Sequence, residues 1–449
     1  MAGIFKNIFT IQELRKRIFF TVAMLFVFRM GAHIPVPGID LSAMDEVLRS
    51  GQQGGLLGLI DLFSGGALLR FSLFGLGIMP YITSSIIMQL LVVVIPSLAR
   101  LQREGDAGRK KIQSYTRYGT ILVSAVQGYG YLVILRGLVM RNPALCPYIG
   151  DPIFMIGFIA TVVTGTVFLM WIGEQITERG LGNGISVLIF AGIAARMPEA
   201  FYQTFTLVSH NVVNPVVVLL LLGILMVVIG LVVYEQTGTR KIPVQYAKRV
   251  VGRRVMQGQS THIPFKINPS GVIPIIFASS VILFPAQIAQ FAGDSELMVW
   301  LQRILDPRQS WFYYFCYTML VIFFAYFYTS IQYNPNEIAD NLQKQGGFIP
   351  GIRPGPTTAE FIHKVLSRIT LPGSLFLSGI ALFPSLLLLF PIFANVPPSL
   401  IYLMGGTSLI IIVSVDLDIM KRIESYLLMR HYDGFFGRTR LRGPKPRGL

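Results

Sequence analysis

Residues 72–96 read SLFGLGIMPYITSSIIMQLLVVVIP and contain no acidic or basic side chain. A bilayer core about 30 Å thick requires roughly 20 mostly apolar residues per helix, so this stretch is long enough to cross a membrane. The rest of the chain has the same character, since 53% of its 449 residues are hydrophobic and 13% are charged. A soluble domain carries about 25% charged residues. The composition therefore predicts a membrane protein and excludes ordinary soluble folding, disorder, a coiled coil and collagen.

The same length rule predicts an all-α membrane protein with ten transmembrane helices. The even number places both termini on one side of the membrane. The first apolar run exceeds that of a cleavable signal and is not followed by an A-x-A site, so we expect it to remain as an anchor. The predicted spans are 18–36, 72–96, 118–138, 152–173, 184–206, 213–234, 270–292, 310–332, 369–393 and 398–417.

Lysine and arginine fall mainly on one side of this topology. The chain has 38 of them against 22 acidic residues, which gives a net charge of +16. Thirty lie in the terminal segments and in the loops on the same side, and eight lie on the other side. By the positive-inside rule the side with 30 is cytoplasmic, and part of that charge is also suited to an acidic partner.

Two spans resemble each other and divide the chain into halves. Gly77-Ile-Met-Pro80 is followed by two serines in span two, and Gly271-Val-Ile-Pro274 is followed by two serines in span seven. Each span is the second of five, so the two halves insert in opposite directions, as in an inverted repeat. We therefore expect an N-terminal half over residues 1–206, a C-terminal half over 207–417 and a basic cytoplasmic tail over 418–449. The alternative is that the small residues serve static helix packing.

Residues 55–70 are apolar but too short to span the membrane. Asp61 and Arg70 would be costly in lipid, and glycine pairs at both ends are possible hinges. The length favours a re-entrant segment, and the alternative is a helix lying on the outer leaflet.

Two cytoplasmic loops contain regular residue patterns that the positive-inside rule does not require. Residues 235–269 alternate around Gly252, which is typical of a basic β-hairpin. Residues 333–368 contain the tight turn Gly351-Ile-Arg-Pro-Gly355, followed by a capping-box pattern at Thr357 that would start a helix. The turn would hold Arg353 away from the surface on a rigid backbone, and the alternative is an ordinary solvated arginine.

Catalytic and metal-binding patterns are not found in the sequence. It has no H-E-x-x-H, G-x-S-x-G or P-loop motif, its five histidines are scattered, and Cys146 and Cys316 form no disulfide or zinc signature. We expect neither a cofactor nor a metal.

Isoleucines occupy midplane positions of spans two, five, seven and ten, where such residues usually face lipid or the protein core. They are Ile78, Ile82, Ile185, Ile189, Ile276 and Ile411.

Several motifs together resemble the bacterial SecY family, whose members are the central subunits of protein-conducting channels. The similarity extends over essentially the whole chain. The motifs include Gly77-Ile-Met-Pro-Tyr-Ile82, Glu174-Gln-Ile-Thr-Glu-Arg-Gly180, Gly182-Asn-Gly-Ile-Ser186, Gln259-Ser-Thr-His262, Gly351-Ile-Arg-Pro-Gly355 and Gly405-Gly-Thr-Ser-Leu409.

The resemblance implies an hourglass pore with the six isoleucines as its constriction. Segment 55–70 matches the family's plug, and the seam between spans two and seven matches its lateral gate. An aliphatic ring of this kind would dewet and block ions without binding a passing chain. The implied plug residues are Leu59, Asp61, Phe63 and Arg70, and the implied gate residues are Thr83, Gln89, Asn268 and Phe284.

The resemblance also implies partners and a location. The cytoplasmic loops would receive the ribosome or the motor SecA, and the small membrane subunits SecE and SecG would complete a complex in the bacterial inner membrane. Signal sequences, nascent polypeptides and membrane lipids would be its other partners. The implied function is passive conduction of unfolded polypeptide, and the alternative is a secondary transporter of a small solute. The implied docking residues are Arg353, Lys248, Arg249, Arg253 and Arg254.

Overall fold

The fold is known from a computed structural model. It describes residues 11–40, 61, 64–246, 249–251, 254–256, 260–291, 296, 300, 303–304, 310–393, 396–397, 400–402 and 405–436. Four of the implied plug and docking residues lie outside the described residues, and so do Gly252 and Gln259. The four are Leu59, Phe63, Lys248 and Arg253. For Arg249, Arg254 and Phe284 the structure describes the backbone.

The described part of the chain folds mainly into α-helices, which we number in chain order. The first half contains α1 (Gln12–Gly31), α2 (Met79–Val94), α3 (Pro96–Arg103), α4 (Asp106–Arg141), α5 (Pro152–Arg179), α6 (Gly184–Ala194) and α7 (Met197–Ser209). The second half contains α8 (Pro215–Thr237), α9 (Ile273–Phe291), α10 (Trp311–Gln332), α11 (Pro335–Lys344), α12 (Pro356–Leu387) and α13 (Gly406–Phe436). The strands are β1 (Thr239–Tyr246), β2 (Arg249–Val251), β3 (Arg254–Met256), β4 (Ser260–Lys266) and β5 (Gly347–Phe348).

Every predicted span contains helix, but not every helix is a complete membrane span by length and hydropathy. Among the described residues six helical segments meet that test, and a seventh is added if α2 and α3, bent by 100°, count as one. The remaining helices are short or charged: α1 contains Arg15, Lys16 and Arg17, while α13 reaches Asp416 soon after its start. A multi-pass membrane protein is therefore shown, whereas the number ten is not fully recovered.

Span two begins later than predicted. Ser72 forms a β-bridge with Pro35, and residues 73–78 form turns. Helix α2 starts at Met79 with Pro80 in its first turn, where a proline costs no hydrogen bond. Gly77 adopts a φ of +59°, which favours glycine and breaks the helical path just before that start. The seven residues before α2 are nevertheless buried for the most part, and Phe74 is 1% exposed.

The two halves share the same order of helix neighbours. In the first half α2 packs on α4, α4 on α5, and α5 on α6; in the second, α9 packs on α10, α10 on α12, and α12 on α13. The halves meet on two sides, where α2 and α4 contact α9, and α6 contacts α13. This matching order is what an internal repeat predicts.

A second apolar core lies outside the bundle and fixes the two loops that the sequence singled out. Strand β1 pairs antiparallel with β4, and β5 adds at its other edge. Side chains from this sheet, including Val244 and Phe265, pack against Leu342 of α11 and Ile362 of α12. The short strands β2 and β3 also pair antiparallel, so the predicted β-hairpin is confirmed.

Candidate functional site

All six predicted ring isoleucines belong to the apolar core of the bundle. Four are 1–5% exposed, and two are half-buried against the same core. Because the four are buried in protein, they do not face lipid, and their role in a pore ring stays a prediction. The buried four are Ile78, Ile82, Ile189 and Ile411, and the half-buried two are Ile185 and Ile276.

A cavity of about 220 Å³ is lined in part by residues that neighbour three of these isoleucines in sequence. Its lining includes Ser186, Ile273 and Ser414, which lie one to three positions from Ile185, Ile276 and Ile411, respectively, and so within one helical turn of them. We call this cavity the vestibule. Residues from α6, α9 and α13 thus line the vestibule, whereas none of the six isoleucines belongs to its described lining.

The vestibule is lined mainly by groups that donate or accept hydrogen bonds. Lys266 and Asp418 contribute opposite charges, and the buried hydroxyl of Ser414 has no hydrogen-bond partner among the described residues. Asn183 helps to form its wall and also caps α6 through the backbone N–H of Ile185, at 3.1 Å. The vestibule is therefore a space that water can occupy.

The predicted gate residues lie on or just before the helices that meet at the seam of α2 and α9. Thr83 is half-buried and donates to the carbonyl of Met79 at 3.1 Å, and Gln89 donates to Ser85 Oγ at 3.3 Å, so both bond within α2. Phe284 lies in α9, next to Pro285. The bonds of Thr83 and Gln89 do not cross the seam.

Asn268 lies at the base of α9. It is 3% exposed, donates to the carbonyl of Gly271 at 3.0 Å and accepts from Ser270 Oγ at 3.0 Å. A Cβ added to Gly373 would lie 3.8 Å from the Asn268 Cα, so this residue packs closely against α12. These contacts fix the turn that leads into α9, and a gating role for Asn268 stays a prediction.

The described part of the predicted plug is buried in protein. Asp61 and Ser64 are 0% and 3% exposed, and the Asp61 carboxylate forms an ion pair with Arg196, between α6 and α7. Arg70 is half-buried. These residues therefore do not lie on the outer leaflet, and the cost of placing Asp61 in lipid is avoided by a protein partner.

Arg353 lies on a turn with a defined backbone. Gly351 and Gly355 on either side have φ values of +82° and +109°, which favour glycine. The neighbouring Ile352 packs against the second apolar core, whereas Arg353 itself is exposed and has no ion-pair partner among the described residues. The turn thus presents a free guanidinium on a fixed support.

The predicted capping box after this turn is wrong. Helix α12 begins at Pro356, one residue before the predicted cap, and Gly355 is its N-cap. The hydroxyls of Thr357 and Thr358 donate back to the carbonyl of Arg353, at 2.5 and 2.9 Å. Proline is favoured in the first turn, so the helix starts there, and the threonines pin the turn instead.

The described residues offer little for catalysis. They contain no group of three His, Cys, Asp or Glu side chains that could hold a metal ion. Cys146 lies in the loop between α4 and α5, and burial raises the pKa of its thiol. A thiol with a raised pKa is a poor nucleophile at neutral pH.

Sequence reasoning missed the vestibule and the partner of Asp61. Ser186, Ser270 and Ser414 are ordinary residues in sequence, and they become a group because α6, α9 and α13 meet. Arg196 is one of the eight Lys and Arg residues predicted on the non-cytoplasmic side, where an arginine is an available partner for an acidic residue of the short segment. The signal in the sequence that could have found this pair is an arginine predicted on the same side of the membrane as Asp61.

The chain resembles known proteins over nearly its whole length. The SecY family model matches residues 72–420. The protein translocase subunit SecY of Vibrio cholerae is 45% identical over 439 residues, which cover 96% of each chain. Among solved structures, a protein-conducting channel is similar with a TM-score of 0.59 at 16% identity, over 92% of each chain. Sec61 in a canine ribosome–channel complex is similar with a TM-score of 0.54 at 15% identity, over 92% of each chain.

Proposed function

The chain belongs to the SecY family of protein translocase subunits, and we propose that it conducts unfolded polypeptides across a bacterial inner membrane. It is a channel subunit and not an enzyme. The observation that carries this proposal is that the six isoleucines, which come from both halves, all belong to or pack against one buried apolar core. Such a waist makes no specific bond to a passing chain, yet it excludes water and ions when empty.

In the proposed mechanism the plug closes the waist from the outside, and the seam between α2 and α9 opens towards lipid. A transmembrane segment in the pore could then leave sideways, because an apolar helix is more stable in the bilayer than in a wet channel. The shared neighbour order of the two halves supports opening as a motion of one half against the other.

The proposed partners dock on the cytoplasmic face. The exposed guanidinium of Arg353 is suited to ribosomal RNA phosphates or to acidic groups of the motor SecA, and SecE and SecG would complete the membrane complex. The solved Sec61 relative was captured in a ribosome–channel complex, which supports a ribosome as one partner. The excess of Lys and Arg supports cytoplasmic termini.

The alternative of a small-solute transporter predicts a polar pocket at the midplane. The positions predicted at the midplane are isoleucines, and none of them belongs to the described lining of the polar cavity. Family membership favours the channel.

The direct test is translocation by the reconstituted complex. Full-length chain, purified with its small subunits in mild detergent, should move an unfolded secretory precursor into vesicles when SecA and ATP are added. Protection of the precursor from external protease measures this. Recovery of a lone monomer that moves a solute but no precursor would overturn the proposal.

Changing Arg353 to glutamate should weaken docking about tenfold or more and reduce translocation in the same assay. The reason is that hydrogen bonds to charged groups contribute roughly 1.5–3 kcal/mol each, and reversal adds repulsion. Binding of ribosomes and of SecA to the reconstituted complex would be measured by co-sedimentation.

Lys421→Glu is the matched control, because Lys421 is an exposed cation on another cytoplasmic element, α13. We expect it to leave binding within about twofold, as for an isolated surface charge. Equal losses in both variants would show a general charge effect, and normal binding by Arg353→Glu would remove the docking role of this turn.

A further inference from the structure

Glu235 is a buried carboxyl that the mechanism proposed above does not use. It lies in the last turn of α8 and is 5% exposed. One carboxyl oxygen accepts a hydrogen bond from Gln236 Nε2 at 2.8 Å, whereas the other has no hydrogen-bond partner among the described residues. Nearly all buried polar atoms in proteins are hydrogen-bonded, so an unpartnered oxygen on a buried carboxyl requires an explanation.

Glu235 also lacks a compensating cation, since it takes part in none of the ion pairs in the part of the chain that the structure describes. Burial without a cation favours the uncharged form of a carboxyl, because the charged form loses its hydration. A proton on Glu235 can therefore replace the missing cation. The charged and titratable side chains on α8 and on the elements around it are Tyr234 of α8, Arg240 and Lys241 of β1, Lys266 of β4, Tyr328 of α10, Arg368 of α12, and Asp416 and Asp418 of α13.

The end of α8 contacts the turn that leads into α9. The backbone N–H of Ile267 donates to the carbonyl of Gly238 at 2.9 Å, and a Cβ on Gly238 would overlap the Ile267 side chain. The side chain of the next residue, Asn268, lies beside the Glu235 carboxyl. The protonation state of Glu235 is therefore felt first by this turn.

Asn268 connects the carboxyl to the start of α9. Its bonds to the Gly271 carbonyl and to Ser270 Oγ, both at 3.0 Å, hold the turn in shape. The turn from Pro269 to Ile273 lines the vestibule, and α9 begins at Ile273. Any change in the contacts of the Asn268 side chain therefore changes the support of α9, which is one of the two helices at the seam.

The two protonation states of Glu235 make different demands on this turn. The neutral carboxyl keeps its bond to Gln236 and needs no cation. A charged carboxylate in the same position is destabilising unless a cation or water compensates it. Both are available at the vestibule, as water in the cavity and as Lys266, two residues before Asn268. We expect either of them to reach the carboxylate by displacing the Asn268 contacts that hold the turn.

We propose that Glu235 is a proton-sensitive support of α9, in which the neutral carboxyl holds the turn at residues 268–272 and loss of its proton loosens that turn. Raising the pH then favours separation of α9 from α2, and lowering the pH favours the closed seam. This inference rests on the proposed channel function, because it assigns a regulator to the seam through which membrane segments would leave.

The direct test measures the mobility of a nitroxide label by electron paramagnetic resonance in the reconstituted complex. In a background with Cys146→Ala and Cys316→Ala, the label is attached at Val272→Cys in the turn or, as a control, at Ser186→Cys on the α6 wall of the vestibule. Spectra are compared at about pH 6 and about pH 8, a range in which exposed carboxyls stay ionised. The mobile fraction at position 272 should rise about threefold or more with pH, and that at position 186 should not change.

Three variants assign the response to Glu235. Glu235→Gln keeps the size of the side chain and its bond to Gln236 but cannot lose a proton, so the label should stay immobile at both pH values. Glu235→Asp keeps a titratable group and should keep the response. Glu337→Gln is the matched control, because Glu337 is an exposed carboxyl on α11, and it should behave as the unmodified protein does.

Insertion of a model signal anchor in the same vesicles measures the functional consequence. The ratio of insertion by Glu235→Gln to insertion by the unmodified complex removes the pH dependence of the other components. It should be near one at about pH 6 and fall about threefold or more at about pH 8, because only the unmodified carboxyl is then charged. An equal ratio at both pH values would overturn the link between Glu235 and the seam.

A pH response that persists in Glu235→Gln, or that is equal at positions 272 and 186, would overturn the proton-sensitive support. So would an immobile label in the unmodified complex at both pH values. If precursor moves normally while any of these results is obtained, this inference is wrong and the channel stands. If the unmodified complex moves no precursor while the label responds through Glu235, the proposed function is wrong and the proton-sensitive turn stands.

Discussion

A channel carrying asparagine at both Ile82 and Ile276 should conduct ions at rest about tenfold or more above the unmodified protein. Burying an amide without a partner costs roughly 1–3 kcal/mol, so each asparagine favours the water-filled waist over the dry one. Because 1.4 kcal/mol corresponds to a factor of ten, two such groups are enough for a large change in the wet population. Single-channel recording in planar bilayers, with no translocating substrate present, would measure the leak.

Ile82→Val with Ile276→Val is the matched control for this result. Valine keeps the waist aliphatic and costs about 0.5–1.5 kcal/mol per site in packing, so a leak caused by loosened packing alone would appear in both double variants. The ring hypothesis requires low conductance with valine and high conductance with asparagine. Unchanged conductance with asparagine, in a protein that still assembles with its small subunits, would remove these isoleucines from the barrier.

Composition predicted where the helices lie in the sequence. It was least informative for a helix that packs against protein rather than lipid. Residues 118–138 contain Gln127, glycines and Arg136 and gave a weak hydropathy signal, yet they lie within the single helix α4. Gln127 is 5% exposed, and Arg136 donates to Met155 Sδ at 3.0 Å, so the protein supplies the environment that lipid would deny these groups. Hydropathy treats every helix as if lipid surrounded it, and it therefore underestimates helices that face protein.

The candidate site was harder to predict than the helices, because its residues are distant in sequence and are brought together only by packing. Ile82 and Ile189 are indistinguishable from core isoleucines in sequence, and family resemblance was needed to select them. Asp61 was recognised as costly in lipid, but its partner Arg196 lies on a different element. A buried charge in a short apolar segment predicts that a partner exists, whereas the identity of that partner depends on which helix breaks meet in three dimensions.

Linking α2 to α9 through cysteines at Thr83 and Phe284 should abolish release of membrane segments into lipid and reduce translocation about tenfold or more. The two helices contact each other, and a covalent bond across the seam opposes the separation that sideways exit requires. The yield of oxidised protein on non-reducing gels would be compared with membrane insertion of a model signal anchor in the same vesicles, and reduction should restore activity.

Ser84→Cys with Gly119→Cys is the matched control for the locked seam. Ser84 lies in α2 and Gly119 in α4, where an added Cβ would lie 2.4 Å from Ser84 Oγ, so a bond there would join two helices of the same half. That link leaves the seam free and should preserve insertion. If the Thr83–Phe284 pair cross-links fully and insertion continues, segments leave by another route; if it never cross-links, the two positions are too far apart to form the gate. Selective loss in the seam pair, reversed by reduction, is the result that a lateral exit between α2 and α9 requires.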